Sequence, residues 1–324
     1  RFKTLDKTIA DEFDGGSGTE EDPYLIARPS QLALLAQCVN EQTAGYFEPD
    51  VHYLLTADLD LSGYENWTPI GTGPQDGRYP YENPEKAFQG VFDGGGHTVN
   101  NLNVAYTGAT TFTSVGLFGV NDGTIRNLHV AGTVSATTSC TDKSYVIAGG
   151  IVGFNIIAYE DAMNTRPGSG AIEHCSFTGS VSASCGNDPT GTADAGGICG
   201  MAKGDVMCCD NFGAVTTRGY AYSLTAGICG SAHESLTVGD CGNFAPVTSV
   251  STYQASVGGI VGLSGRPVVV SHCRNKGAVR FDGTSVDRRS TAAGIVGDIY
   301  AKKDAVYAAS VRDCRNEGDV SCGL

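Results

Sequence analysis

Two short blocks recur in pairs along this chain, and their spacing limits the fold more than any other feature. The first reads VGLFG (115–119), AGGIVG (148–153), AGGICG (195–200), TAGICG (225–230), VGGIVG (257–262) and AAGIVG (292–297). A second follows each: NLHVAGTV (127–134), HCSFTGSV (174–181), CCDNFGAV (208–215), DCGNFAPV (240–247), HCRNKGAV (272–279) and DCRNEGDV (313–320). Successive first blocks end 34, 47, 30, 32 and 35 residues apart, a period that marks a stacked repeat. Within a repeat the apolar residues alternate or form short β-branched runs between glycines, with no 3.6-residue stripe, so helical repeats are excluded. Units of this kind cannot bury a face alone and must stack on their neighbours, which predicts an all-β solenoid with equivalent residues about 4.8 Å apart.

That stacking gives the cysteines a meaning. Leu128, Cys175, Cys209, Cys241, Cys273 and Cys314 occupy one position of the second block. A leucine replaces a small core residue readily but not a metal ligand or a disulfide partner, so the column reads as packing. Cys199 and Cys229 likewise stand where Val152, Val261 and Val296 stand in other repeats. Parallel stacked Cβ vectors suit a disulfide torsion poorly, and the pair to consider first for a bridge is the off-column Cys140 and Cys185. No C-x₂-C spacing occurs, so no metal or other cofactor is expected. Two residues after the column, Asn211, Asn243, Asn275 and Asn316 are placed to bond coil to coil as an amide ladder. Gly132, Gly179, Gly213, Gly277 and Gly318 follow, where a left-handed turn is expected.

The first hundred residues differ. DPYLIARPSQLALLAQCVNE predicts a strand at 24–27, then a helix capped by Ser30 with Leu32, Leu35 and Ala36 on one face. Such a helix would close the open end of the core. The expected organisation is a cap with first strands over 1–62 and β-helix repeats over 63–324, one continuous unit. The last repeat block ends four residues before the chain does, which leads us to expect either further coils or end-to-end self-association through that edge.

Composition narrows the partners. A net charge of −14 argues against nucleic acid, whose phosphates select basic surfaces. No apolar run approaches the roughly 18 residues of a membrane span. The 45 glycines against 11 prolines fit many tight turns between short strands.

Several stretches together resemble the GLUG-motif proteins: GGSGTEEDPYLIARPSQLALLA, YLLTADLDLSG, WTPIG, FQGVFDGGGHTVNNLNV, GLFGVNDGTIRNLHVAGTV and the repeating GGIVG…C…N.G.V, over most of 14–321. These are bacterial surface and secreted proteins, including adhesin-like ones and segments accompanying IgA-specific metallopeptidases. The resemblance implies a right-handed parallel β-helix, extracellular or at the bacterial cell surface, and implies no reaction. This stretch has no H-E-x-x-H, since His233-Glu234 stands alone, and neither G-x-S-x-G nor a P-loop occurs.

Two groups of residues carry possible chemistry. Just before the column cysteines lie Asn127, His174, Cys208, Asp240, His272 and Asp313, and stacking sets His272 between Asp240 and Asp313. Paired carboxylates can cleave glycosidic bonds, although polar residues are also the default on a solvated face. The segment 63–84 holds the only tryptophan, Trp67, with Tyr79 and Tyr81, and aromatic rings on loops can bind sugars or proteins. A packed Trp67 under its own loop is the plainer alternative. The sequence thus favours a non-catalytic stalk or adhesin-like module meeting a host glycan or an extracellular protein. A carbohydrate-active β-helix enzyme and a self-assembling filament subunit are the alternatives.

Overall fold

The computed structural model describes residues 9–73, 86–157, 170–186, 188–265, 268–283, 290–300 and 309–323. A coil is followed most simply through its third turn. Tyr145–Gly149 runs into a tight bend, Val152–Asn155 returns, Ala171–Glu173 comes next, and Ser176–Ser184 closes the circuit before Thr192–Gly196 begins the coil above. Each strand pairs in parallel with its equivalent one coil away, as in Tyr145↔Thr192, Thr192↔Tyr222 and Tyr222↔Gln254. The result is four sheets of nine, six, six and twelve strands running along one axis, a parallel β-helix.

The interior follows from period-two alternation. In the nine-stranded sheet the inward column runs Tyr24, Tyr53, Phe92, Ile125, Ile172, Val206, Val238 and Val270, tapering from rings to valines. The cysteine column lies beside it: Leu128, Cys175, Cys209, Cys241 and Cys273 are buried in the same core. Their sulfurs are free thiols. Cys241 Sγ donates to the Gly239 carbonyl at 3.1 Å and toward the Val206 carbonyl of the preceding coil at 3.5 Å. Cys199 and Cys229 stack between Val152 and Val261, as their replacement of valine predicts. Cys185 is buried and Cys140 half-buried, and both are also free thiols.

The amide ladder is present. Asn211 Nδ2 donates to Asn243 Oδ1 at 2.8 Å, Asn243 to Asn275 at 2.7 Å, and Asn275 to Asn316 at 2.7 Å. Each amide also donates to the carbonyl two residues on, which ties the ladder to the following turn. A shorter ladder that the repeats did not advertise links Asn121 to Asn155 at 2.7 Å.

The turn glycines need correction. Gly132, Gly213, Gly277 and Gly318 do not adopt positive φ, and only Gly179 does, at 133°. At these glycines space is the constraint: a Cβ would fall 2.0 Å from Leu102 O at Gly132 and 1.9 Å from Ala245 O at Gly277, although Ala245 itself holds the same place in its own repeat. The left-handed residue lies five positions earlier, immediately before the column cysteine.

Tyr24–Ile26 and His52–Leu55 begin the nine-stranded sheet, and the helix Pro29–Glu41 buries Leu32, Leu35, Ala36 and Val39 against the same core. Its cap differs from the sequence expectation. Pro29, with φ preset and no N–H to satisfy, takes the first helical position, so Arg28 is the N-cap and Ser30 lies buried inside the first turn. Gln31 Oε1 accepts from the N–H groups of Ala27 and Arg28 at 2.9 and 3.1 Å in place of a Ser30 cap. Among the described residues no helix is long and apolar enough to cross a membrane.

Candidate functional site

The outward column before the cysteines has a backbone function. Asn127, His174, Cys208, Asp240, His272 and Asp313 all have φ between 52° and 55°. They turn the chain from the nine-stranded sheet into the twelve-stranded one, with Asp240 N–H bonded to Ser271 O and His272 N–H to Arg312 O. Asn, Asp and His are the non-glycine residues that enter the left-handed region most readily, which accounts for five of the six residues in this column, Cys208 being the exception. His272 Nε2 approaches Asp313 Oδ2 at 3.7 Å, with the two side chains 56% and 69% exposed. The structure therefore brings Asp240, His272 and Asp313 together along one convex corner. Among the described residues no three His, Cys, Asp or Glu side chains converge to hold a metal ion.

Trp67 is buried at 3% exposure, its indole N–H donating to Leu117 O at 3.3 Å and its ring edge-on to Tyr64 at 5.4 Å. The ring thus secures the start of its segment to the core. Tyr79 and Tyr81 lie outside the described residues. Nearby, a cleft of about 100 Å³ is lined by Pro69, Thr72, Tyr106 and Phe112 among others. Three of its hydroxyls form a chain, Tyr106 Oη to Thr110 Oγ1 at 2.6 Å and on to Thr113 Oγ1 at 2.7 Å.

The twelve-stranded sheet has the most strands of the four. Alternation there points Val134, Val181, Val215 and Val247 inward, and Ser135, Ser182, Thr216 and Thr248 outward in register. Thr133 with Ser180, and Thr137 with Ser184, extend the hydroxyl rows on either side. The four strands His129–Thr138, Ser176–Ser184, Ala214–Gly219 and Val247–Ser251 hold only two titratable residues, His129 and Arg218. Beyond them the last two coils turn charged, with Arg274–Glu317 at 2.6 Å and Arg280–Asp282 at 2.6 Å.

Exposed rings flank this hydroxyl face. Phe212 and Phe244 stack with centroids 4.9 Å apart and planes 12° from parallel, and Lys276 Nζ sits 5.6 Å from the Phe244 centroid. At the other end, where the strands turn into the next sheet, Tyr220, Tyr222 and Tyr253 are exposed, with Tyr222 edge-on to Tyr253 at 6.0 Å. Sequence reasoning passed over this face, although the S-x-S-x-S of 180–184 and the single charge of 214–219 are its signature.

One buried carboxylate stands apart from these surfaces. Asp194 is fully buried, accepts a hydrogen bond from Ser231 Oγ on Oδ2, and has no partner on Oδ1. Burial pushes its carboxyl well above the usual range, because the charged form is poorly solvated there. Asp188 is the opposite case. Burial disfavours its charge, yet Ser144 N–H and Oγ at 2.7 and 2.6 Å and Thr190 N–H and Oγ1 at 2.9 Å hold it below the usual range.

The chain is similar to part of a halomucin from Haloquadratum walsbyi, 33% identical over 153 residues that make up 44% of this chain and 2% of the halomucin. It is also similar to a proposed Gly-rich membrane protein from Evansella cellulosilytica, 28% identical over 138 residues, 40% of this chain and 13% of that one. The chain therefore spans a small fraction of the length of these relatives. A crystal structure of a proposed immunoglobulin A1 protease from Bacteroides ovatus matches with a TM-score of 0.66 over 96% of this chain and 80% of that one, at 20% identity, so the two share the fold. No family model matches the chain.

Proposed function

We propose that this chain is a non-catalytic, GLUG-type repeat module of a secreted or cell-surface bacterial protein, a stiff acidic stalk or adhesin-like segment that offers an outer face to a ligand. The observation that supports this reading most is the common backbone conformation of the outward column. Asp240, His272 and Asp313 have the same left-handed φ as Asn127 and Cys208, so a corner requirement accounts for them without a reaction. Interior columns continuous from coil to coil support a rigid rod, because each coil is fixed by both neighbours. The relatives, a halomucin and a membrane protein, are in keeping with a place at the cell surface.

The test is reducing-end release from a panel of host and plant polysaccharides, comparing this chain with an Asp240→Asn, Asp313→Asn double variant. We expect no release from either. Release by the parent chain that the variant abolishes would replace this reading with a carbohydrate-active enzyme.

A further inference from the structure

We propose that the hydroxyl face spanning Ala214–Gly219 and Val247–Ser251 is a binding track for a neutral polysaccharide chain lying along the strands, with Phe212 and Phe244 gripping one end and Tyr220 and Tyr253 the other. The proposal deepens the reading of the chain as a binding module and rests on it.

Charge is the first argument. The chain carries a net −14, yet these strands and their two N-terminal neighbours hold only His129 and Arg218 as titratable groups. An ordinary solvated surface mixes charges of both signs over roughly a quarter to a third of its residues. A face whose strands carry one charge, Arg218, with Lys276 and Arg280 at its border, suits a partner that has none better than a charged one. A polyanion would meet net repulsion from the whole molecule, and a polycation would find little on this face to bind.

The layout of the rings is the second argument. Protein–protein interfaces place aromatic anchors at the centre with a polar rim. Here the order is reversed: Thr216 and Thr248 occupy the middle, and the exposed rings stand at the ends. Phe212 and Tyr220 lie at the two ends of the strand Ala214–Gly219, with a bend at Gly213, so they are at most about 26 Å apart at ~3.3 Å per residue. A long, thin, hydroxylated ligand can touch both ends and exchange hydrogen bonds with the hydroxyls between. Sugar rings present apolar C–H patches that pack on aromatic side chains and hydroxyls that pair with Ser and Thr. Phe212 at 48% exposure, Tyr220 at 48% and Phe244 and Tyr253 at 37% each have apolar surface left for such packing.

The rigidity of the sheet is the third. Every strand of the track is paired on both sides, so Thr216 and Thr248 are fixed before a ligand arrives, which reduces the ordering loss on binding.

The experiment is affinity gel electrophoresis of the full chain through xyloglucan, arabinoxylan, galactomannan, mixed-linkage glucan and glycogen, with polygalacturonate and chondroitin sulfate as charged probes. We expect retardation by at least one neutral polymer, unchanged between low and high salt. Phe212→Ala with Phe244→Ala, and separately Tyr220→Ala with Tyr253→Ala, should each weaken it roughly tenfold or more. Thr216→Glu with Thr248→Glu should weaken it with all the rings intact. These side chains are exposed or half-exposed, and unchanged thermal unfolding of each variant checks the fold. Lack of retardation by every neutral polymer would overturn the proposal, as would retardation that all three variants retain, or retention by charged polymers alone that salt abolishes. Reducing ends measured in the same incubations separate the two readings. Sugar release would refute the non-catalytic module, whereas failure to bind without release would refute only the track.

Discussion

A Cβ placed on Gly227 would lie 2.2 Å from Cγ of Asn243, so the glycine of one block leaves the room that the asparagine of the other fills. The same contact recurs between Gly197 and Asn211, Gly259 and Asn275, and Gly294 and Asn316. The two blocks are thus halves of one packing unit across the coil. Asn243→Ala strands amide partners on both sides and should lower stability by about 1–3 kcal/mol. Gly227→Ala should do so by a similar amount through overpacking. Guanidinium unfolding of the two variants checks this, and an unchanged midpoint for either would contradict it.

At the corner, the left-handed backbone predicts an unusual substitution pattern. Asp240→Gly should be neutral or slightly stabilising, because glycine enters that region without strain. Asp240→Val should destabilise by about 1–2 kcal/mol, the approximate penalty for a branched side chain there. Thermal melts of the pair decide the matter. An essential surface carboxylate would give the same loss in both.

Asp194 should make the protein less stable as pH rises. Its folded pKa lies above the unfolded value, so its contribution is fully present below the unfolded pKa, near 4, and is lost as pH rises through the folded one. Asp194→Asn keeps the shape and removes the ionisation. Its melting temperature should exceed the parent's at pH 8 and approach it at pH 4.

Asp188 carries the opposite sign. Its folded pKa is depressed, so its stabilisation is present above the unfolded pKa and lost as pH falls through the folded one. Asp188→Ala should cost about 2 kcal/mol at pH 7 by freeing Ser144 and Thr190, with a smaller difference in acid. Denaturant melts at pH 7 and pH 3 test it.

Thiol labelling should divide the cysteines by burial. Cys322 is exposed and Cys140 half-buried, whereas Cys175, Cys209, Cys241 and Cys273 lie in the core. Burial also raises the pKa of Cys199 and Cys229, which keeps them as unreactive thiols. Ellman's reagent should modify the first group rapidly and the core thiols only after unfolding. Prompt reaction of all twelve would overturn this assignment.

The cysteine column and the asparagine ladder were legible because repetition aligns them without coordinates: a column containing Leu128 excludes ligation, and four amides in register invite a ladder. The corner was not legible. Asn, His, Cys, Asp, His and Asp look like solvent-facing choices, and glycine five residues later drew the left-handed turn to itself. Its actual task is close approach, which depends on the neighbouring coil. The helix start misled for a local reason, since Pro29 preset the backbone one residue ahead of Ser30. The hydroxyl face was not legible because scarce charge leaves a fainter mark in a sequence than residues that bear chemistry.

Successive coils pair in nearly constant register from Thr192–Gly196 through Gln254–Gly258, so one coil maps onto the next by a shift along the axis. A whole coil added or removed at equivalent positions would leave every remaining residue with neighbours of the same kind. The length of such a rod is then free to drift by duplication and loss, while its cross-section is held fixed by all the coils at once.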